Sequence, residues 1–435
     1  MAAGHYDHDM HVKASHGRHL VRPRLHPGMA ATVSHPRREL AALAVPPPIG
    51  ELHNGSPTDV LLQGFHYTSF KSSPTSWYAI LAANAPAIRG APFDAVWLPP
   101  PSACADGEGY LPTRWVVFDS SYGSVAELGA AIAALGSVRA IADVVVNHRC
   151  GVATSGADFA DPAFPVQSAA VCRDDECGCG TGALDTGESQ PAARDLDHTN
   201  ADVQAAIVDY LGRLKELGFA GWRYDEARGY GGSYVGLYND RTTPYLSVGE
   251  YWDGDRQNVM NWIDATRGSS MAFDFPTRAQ LKAVLAARTF WSLNAGGKPP
   301  GAIGWWPAMS VTFLENHDTD RDSQHPDEFG TGDQVLQGYA YLLTHPGIPC
   351  VFWVHFFDYG PDIQSKIKTL IAIRKVSGIT RTSAVDIVAA DDGKYAAIVD
   401  GKVAVKIGPG SWDPGSGWRV ATDGNDYAVW TLSGR

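Results

Sequence analysis

The chain has 435 residues, 44% hydrophobic and 19% charged, the composition of a globular protein with a substantial core rather than of a disordered one. Its 35 Lys and Arg against 47 Asp and Glu give a formal net charge of −12, which offers no electrostatic reason to bind nucleic acid or an anionic membrane and suits a neutral ligand. No window holds about 18 consecutive apolar residues, so no transmembrane helix is expected, and at roughly 150 residues per domain the length allows two to three domains or one large α/β barrel with a small appendage.

Residues 1–56 differ in texture from the rest, with eight of the 15 His among scattered Arg and Pro. A secretory signal needs an apolar stretch of about 7–15 residues near the start. Leu40–Val45 is short, late and followed by Pro46-Pro47-Pro48. The segment reads as disordered or as a targeting segment of the plastid type, although Asp7, Asp9, Glu39, Glu51 and a scarcity of Ser count against a transit peptide. The expected location is intracellular, plastid or cytoplasm, without a recognisable secretion signal.

From Asp59 onward short apolar runs alternate with helix-like stretches. The runs are Asp59–Phe65, Phe93–Pro99, Arg139–Asn147, Gly221–Ala227, Leu246–Trp252, Met271–Phe275, Ser310–Asn316 and Ile348–Val354. They are nearly continuously apolar, as expected of strands buried on both faces of a parallel sheet. Helical patterns lie between them, such as Ser124–Leu135, with a capping box at Ser124 and Glu127, and Ala201–Leu217. Eight strands alternating with helices point to an α/β fold, a (β/α)8 TIM barrel over residues 57–376.

About 50 residues rich in Gly, Asp, Cys and Ala separate the third run, near His148, from the helix near Asn200. A loop of that length is usually functional or a small inserted domain, assigned here to residues 149–196. Six cysteines are too few for a disulfide scaffold, and three of them, Cys172, Cys177 and Cys179, lie in this loop. Lacking a second pair at zinc spacing, they read as a reduced thiol cluster rather than a zinc site. After Ser377 short strand-like runs at Tyr395–Asp400, Val403–Ile407 and Tyr427–Leu432 are separated by Gly-rich turns, the pattern of a small antiparallel β domain over 377–435.

In such barrels chemistry sits at the C-terminal ends of strands. Those ends carry Asp143 to His148, Arg223-Tyr224-Asp225, Glu250-Tyr251-Trp252 and Glu315-Asn316-His317-Asp318. Paired carboxylates at a barrel mouth suit glycosidic bond cleavage, one acting as acid and the other as nucleophile or base. Arg223, two residues before Asp225, points to the same side of a strand and keeps the Asp ionised. Glu250 needs the opposite environment, one that raises its pKa. Strand-end salt bridges are the alternative. All 13 Trp fall after residue 76; their faces suit sugar rings, with core packing as the other use.

The segments ADVVVNHR (Ala142–Arg149), GWRYDEARGY (Gly221–Tyr230), GEYWD (Gly249–Asp253) and FLENHDT (Phe313–Thr319) resemble the four signature regions of the α-amylases of glycoside hydrolase family 13, in the same order and on the matching strands. VWLPPPS (Val96–Ser102), EGYLP (Glu108–Pro112), CRDD (Cys172–Asp175), GWWPA (Gly304–Ala308) and LTHPGIPC (Leu343–Cys350) resemble the plant type in particular. The likeness covers about residues 58–435.

The resemblance implies endohydrolysis of α-1,4-glucosidic bonds in starch or maltooligosaccharides by a retaining mechanism. It makes Asp225 the nucleophile, Glu250 the acid and base, and Asp318 the carboxylate that grips sugar hydroxyls. Arg223 becomes the nucleophile's partner, His148 and His317 hydrogen-bond donors to the sugar, Tyr110 a platform beneath it, and Trp252 a lining for leaving-group sugars. Trp305 and Trp306 match a tandem Trp of a surface starch site, with core packing as the alternative. The long loop resembles a calcium-binding domain, with Asn147, Asp185 and Asp195 as side-chain ligands and the carbonyls of Glu188 and Gly229 completing the set. Ser189 stands where an Asp is usual, and the stretch between Arg149 and Cys172 lacks an acidic cluster, so one Ca2+ is expected. A monomer is expected. A 4-α-glucanotransferase of the same family, or a non-catalytic glucan-binding relative, remains the alternative function.

Overall fold

A computed structural model describes residues 53–152, 156–191 and 193–433. Eight strands form a closed parallel barrel: β1 (Leu61–Gln63), β2 (Ala95–Leu98), β3 (Arg139–Val144), β4 (Phe219–Tyr224), β5 (Ser247–Gly249), β6 (Met271–Phe273), β7 (Ser310–Phe313) and β8 (Ile348–Phe352). Each strand pairs with its sequence neighbours. β1 closes the ring by pairing with β2 at Leu61↔Ala95 and with β8 at Leu61↔Cys350. All eight apolar runs became strands, because both faces of this sheet are covered: the barrel interior on one side and helices on the other. The strands are shorter than the runs. Their C-terminal ends leave the ladder and become the loops that carry polar side chains to the barrel mouth.

Eight helices surround the barrel, α1 (Trp77–Gly90), α2 (Val125–Leu135), α3 (Ala201–Glu216), α4 (Gly232–Thr242), α5 (Arg256–Ala265), α6 (Phe275–Ala287), α7 (Gly332–Thr344) and α8 (Pro361–Ser377). The capping box that starts α2 is formed as expected: Glu127 N–H donates to Ser124 Oγ at 3.3 Å, and Ser124 N–H donates to Glu127 Oε2 at 2.8 Å. At the other end of the chain, β9 (Val385–Ala390), β10 (Tyr395–Val399), β11 (Val403–Ile407), β12 (Trp418–Gly424) and β13 (Tyr427–Leu432) form an antiparallel sheet of order β9-β10-β11-β13-β12. A buried hydrogen bond, His345 Nε2 to Tyr395 Oη at 2.8 Å, ties this sheet to the end of α7.

Two expectations are corrected. Residues 53–56, grouped above with the N-terminal segment, are held by the barrel. His53 Nδ1 pairs with the Pro244 carbonyl at 2.8 Å, and Asn54 bridges Leu246 at the start of the β5 run. Residues 1–52, with the targeting and location expectations they carried, lie outside the described residues. The thiol cluster is not wholly reduced: Cys177 and Cys179 form a disulfide, leaving Cys172 as its one free thiol. A tight turn brings their Cα atoms to 5.1 Å, within bridging range, which two residues of sequence do not reveal. Most of the Trp are core residues; Trp97, Trp115 and Trp222 are among the largest fully buried side chains. Among the described residues no helix is long and apolar enough to cross a membrane.

Candidate active site

The C-terminal ends of β3, β4, β5 and β7 deliver their polar residues to one cavity of about 410 Å³. Beneath it lies Arg223, the next-to-last residue of β4, wholly buried. Its Nη1 donates to Asp143 Oδ1 at 2.8 Å and to Asp225 Oδ1 at 2.7 Å, and its Nη2 forms an ion pair with Glu250. The guanidinium carbon lies over the ring of Trp97, 4.8 Å from its centroid. Burial works against the charge, but the carboxylates around Arg223 hold its pKa well above the usual value.

The carboxylates sharing this cation are not equivalent. Glu250 is buried, and its pKa is raised well above the usual value, first by burial, against the pull of Arg223, and further by the charges of Asp225 and Asp318. Both effects favour its protonated form. Asp318 is pushed up to about 7 by burial and the charge of Asp225, while Arg223 and a hydrogen bond from Glu250 pull it down. Its side chain keeps 31% exposure at the mouth, so solvent moderates the shift. Asp143 is buried on β3 and pushed up to about 7, chiefly by burial. It accepts from Trp97 Nε1 and from Tyr110 Oη, each at 2.9 Å, besides Arg223.

Tyr110 is held flat against His317, with ring centroids 5.1 Å apart and planes 12° from parallel. Gln63, at the end of β1, donates through Nε2 to His317 Nδ1 at 3.1 Å. That leaves the Nε2–H of His317 facing Asp318 Oδ2 at 3.2 Å. Burial and the neighbouring Arg223 keep His317 well below the usual pKa, hence neutral. His148 donates from Nε2 to the Tyr110 carbonyl at 2.8 Å and accepts from Asn147 Nδ2 at 3.2 Å. Trp252, 38% exposed, stacks on Phe275 at 4.8 Å and lines the cavity.

Of the residues singled out in the sequence, the cavity thus gathers Tyr110, His148, Asp225, Glu250, Trp252, His317 and Asp318, with Arg223 below. Trp305 and Trp306 do not line it. They also differ from each other: Trp305 is 49% exposed with Arg256 stacked at 3.6 Å over its ring, whereas Trp306 packs against the core. Sequence reading gave no role to Asp143, Gln63 or Glu226. For Gln63 a signal existed, a lone amide inside an apolar run.

A second, smaller cavity of about 90 Å³ lies in the long loop, lined by Asp174, Asp175, Asp185, Gly187, Ser189 and Asp195. Asp185 Oδ2 is buried there without a hydrogen-bond partner. Asp195 is pushed up to about 7, first by burial and then by the charges of Asp185 and Asp175, against a backbone hydrogen bond from Gln190. Asp175 is already engaged, accepting from Arg194 Nη1 at 3.1 Å and Asp195 N–H at 2.8 Å. Asn147 Nδ2 reaches Asp195 Oδ1 at 3.4 Å, and a side chain at Gly229 would collide with the Asn147 carboxamide. Glu188 N–H donates to the Arg228 carbonyl at 3.0 Å. Asn147, Asp185, Asp195 and the backbone at Glu188 and Gly229 are therefore neighbours. Arg228 strengthens the seam, donating from Nε to Glu188 Oε1 at 3.0 Å and from Nη1 to the Trp252 carbonyl at 2.6 Å.

Asp143→Leu, with the same branching but no polar atom, removes an acceptor from Trp97, Tyr110 and Arg223 at once. Urea unfolding followed by circular dichroism is expected to show a loss of about 3 kcal/mol, the scale for breaking a buried ion pair. Asp143→Asn, which keeps one acceptor oxygen, is expected to lose less.

Residues 376–431 match the family model of the α-amylase C-terminal β-sheet domain. Probable α-amylase 2 of Arabidopsis thaliana is 39% identical over 398 residues, spanning 86% of this chain and 94% of that protein. The chloroplastic α-amylase 3 of the same plant is 38% identical over 403 residues, 87% of this chain and 45% of that longer protein. The barley (Hordeum vulgare) α-amylase type B isozyme is 50% identical over 145 residues, 32% of this chain and 92% of that sequence. In fold, the chain resembles the acarbose-complexed α-amylase of Geobacillus thermoleovorans, with a TM-score of 0.67 at 16% identity over 87% of this chain and 99% of that one. With relatives of 38–39% identity matched along most of its length, this chain belongs to the α-amylases of glycoside hydrolase family 13.

Proposed function

We propose that this α-amylase cleaves internal α-1,4-glucosidic bonds of starch-type glucans by double displacement with retention, using Asp225, Glu250 and Asp318. The observation that carries this reading is the arrangement around Arg223: one buried guanidinium contacts both Asp225 and Glu250, while burial and the neighbouring acids raise the pKa of Glu250. A retaining glycosidase needs one bare and one protonated carboxyl group side by side.

Glu250 transfers its proton to the bridging oxygen as Asp225 Oδ attacks the anomeric carbon. The glycosidic C–O bond breaks, the leaving chain departs with a free hydroxyl, and the sugar remains esterified to Asp225. Glu250, now ionised, takes a proton from water. The resulting hydroxyl displaces Asp225 and restores both groups. Arg223 restricts Asp225 to a fixed rotamer and stabilises its charge when it leaves. Asp318 accepts hydroxyl protons of the reacting sugar, and the Nε2–H of His317 orients Asp318. Tyr110 is braced by His317 and Asp143 as an aromatic platform for the sugar's C–H face.

The acidic cradle of the long loop fits a hard divalent cation. Its donors are all oxygen, one of them the buried and unpartnered Asp185 Oδ2, and mutual repulsion raises Asp195. We assign it to Ca2+, with the side chains of Asn147, Asp185 and Asp195 and the carbonyls of Glu188 and Gly229 as ligands. Bound there, the ion supplies positive charge that neutralises the cradle and links the loop to the turn after β4. Trp305, exposed on the surface, is the more available of the tandem pair for glucan contact outside the cavity.

Asp225→Asn is expected to lower kcat on maltoheptaose by at least about a thousandfold while leaving binding measurable by calorimetry; activity within tenfold of the unsubstituted enzyme would refute the nucleophile assignment. Asp318→Asn removes a negative charge that favours protonated Glu250 and leaves only a neutral carbonyl to accept its proton. The pKa of Glu250 then falls, so the alkaline limb of the kcat/KM–pH profile is expected to move to lower pH. Chelation with EDTA is expected to lower the melting temperature, and added CaCl2 to restore it, because the ion binds the folded state; a melt indifferent to both would refute the cradle assignment.

A further inference from the structure

Cys177 and Cys179 form a disulfide, while Cys104, Cys150, Cys172 and Cys350 are free thiols. A structural bridge stabilises mainly by closing a loop of the unfolded chain, and the gain grows with the length of that loop. This bridge encloses only Gly178. It closes almost no loop and ties no distant segments together. Nor is it sealed in the core: Cys177 and Cys179 are both half-buried, whereas Cys150, Cys172 and Cys350 are buried. Its main effect is to hold two sulfur atoms side by side near the surface of an acidic loop.

The turn that carries them supplies a third donor. Asp175 Oδ1 accepts from Cys177 N–H at 2.9 Å, and the Asp175 carbonyl accepts from Gly178 N–H at 3.0 Å. One ligand atom each from Asp175, Cys177 and Cys179 lies within 4.8 Å of the others. Asp175 is buried and also accepts from Arg194 Nη1 through Oδ1 at 3.1 Å and from Asp195 N–H through Oδ2 at 2.8 Å. Three bonds fill three of the roughly four acceptor positions of a carboxylate, so the group is fixed in place with one position open. Cys179 N–H donates to Cys177 Sγ at 3.0 Å, a contact that favours a negatively charged sulfur. The spacing of the three loop cysteines offers no second pair for zinc; the fold offers Asp175 in its place.

We propose that Cys177, Cys179 and Asp175 form a redox-gated binding site for Zn2+. The proposal is independent of the hydrolase reading. In the bridged form the sulfurs are bonded to each other and do not ligate. A dithiol opens the bridge: one of its thiolates attacks a bridge sulfur, the S–S bond breaks, and the other cysteine leaves as a thiolate. The second thiol of the reductant then displaces the cysteine held in the mixed disulfide. The reductant ends as a disulfide, two electrons poorer, and Cys177 and Cys179 end as thiols. Zn2+ replaces their two protons. Two thiolates and a carboxylate, with water in the fourth position, are a zinc donor set. Tetrahedral bonds of about 2.3 Å to sulfur put the two sulfurs about 3.8 Å apart, a separation that side-chain rotation reaches while the Cα atoms stay at 5.1 Å. The sulfurs distinguish this site from the adjoining all-oxygen cradle, which suits a hard ion.

The test uses the full chain, reduced anaerobically with a phosphine that is then removed by gel filtration. CaCl2 in excess occupies the oxygen cradle, and Co2+ serves as the coloured probe for Zn2+. A thiolate-to-Co2+ charge-transfer band is expected to rise in the near ultraviolet, to saturate at one equivalent and to be bleached by Zn2+. Chain that was never reduced is expected to lack it, and Co2+ bound to oxygen ligands alone does not produce it. The Cys177→Ser/Cys179→Ser double variant is expected to lose the band while keeping the circular dichroism spectrum of the reduced unsubstituted chain. Absence of the band from reduced unsubstituted chain would overturn the proposal, a result that depends on no variant folding. Persistence of the band in the double variant would overturn it as well, because the metal would then sit on Cys104, Cys150, Cys172 or Cys350.

Discussion

A single buried guanidinium organises the centre of this molecule. Arg223 sits at the bottom of the barrel mouth, cut off from water, and an isolated charge there would be prohibitively costly. It is tolerated because carboxylates from three different strands meet it: Asp143 from β3, Asp225 after β4 and Glu250 after β5. The barrel makes this possible. Parallel strands in sequence order bring residues dozens of positions apart to the same rim, and the period-two alternation of a strand aims Arg223 and Asp225 the same way. The cation in turn fixes the rim, because each acid that bonds to it is drawn inward to one point.

The same economy links the long loop to the reaction site. Asn147 contacts Asp195 on one side and His148 on the other, and His148 then holds the Tyr110 carbonyl. Across the loop, Arg228 joins Glu188 to the carbonyl of Trp252. Both chains of contact start at the acidic cradle and end on residues that line the catalytic cavity. An ion that tightens the cradle therefore bears on the aromatic platform and on the leaving-group side together, without touching substrate.

Much of the fold was legible because its signal is local. Each barrel strand announces itself as a short apolar run, and the capping box of α2 lies within four residues. The three motif carboxylates and two histidines were singled out through resemblance, since composition alone left strand-end salt bridges as the alternative. What stayed hidden depends on non-local partners or on direction. Asp143 lies in plain view at the end of an apolar run, yet its role comes from Trp97, Tyr110 and Arg223, each on a different segment. The Cys177–Cys179 bridge depends on a turn that two intervening backbone steps do not specify. Glu226 lay inside a motif already quoted, but its place on the cavity wall, after a left-handed turn that follows β4, is not written in the motif. His53 and Asn54 read as part of a tail because the residues that hold them, Pro244 and Leu246, are almost two hundred positions away in the chain.

The division of protons among the acids follows from counting charges in a confined space. Asp143, Asp225, Glu250 and Asp318 crowd around one guanidinium, and four negative charges against one positive cannot all persist in a poorly solvated site. Part of that excess must be relieved by protonation. Asp225 has the 2.7 Å bond to Arg223, and Asp318 retains exposure to water at the mouth. Glu250 is buried, faces the charges of Asp225, Asp318 and Glu226, and makes a hydrogen bond to Asp318 that its protonated form donates. The upward push therefore falls heavily on Glu250. The surplus of acid that looks like a liability in the folded state is what lifts the Glu250 carboxyl, and Glu250 lies beside Asp225 because both compete for the same cation.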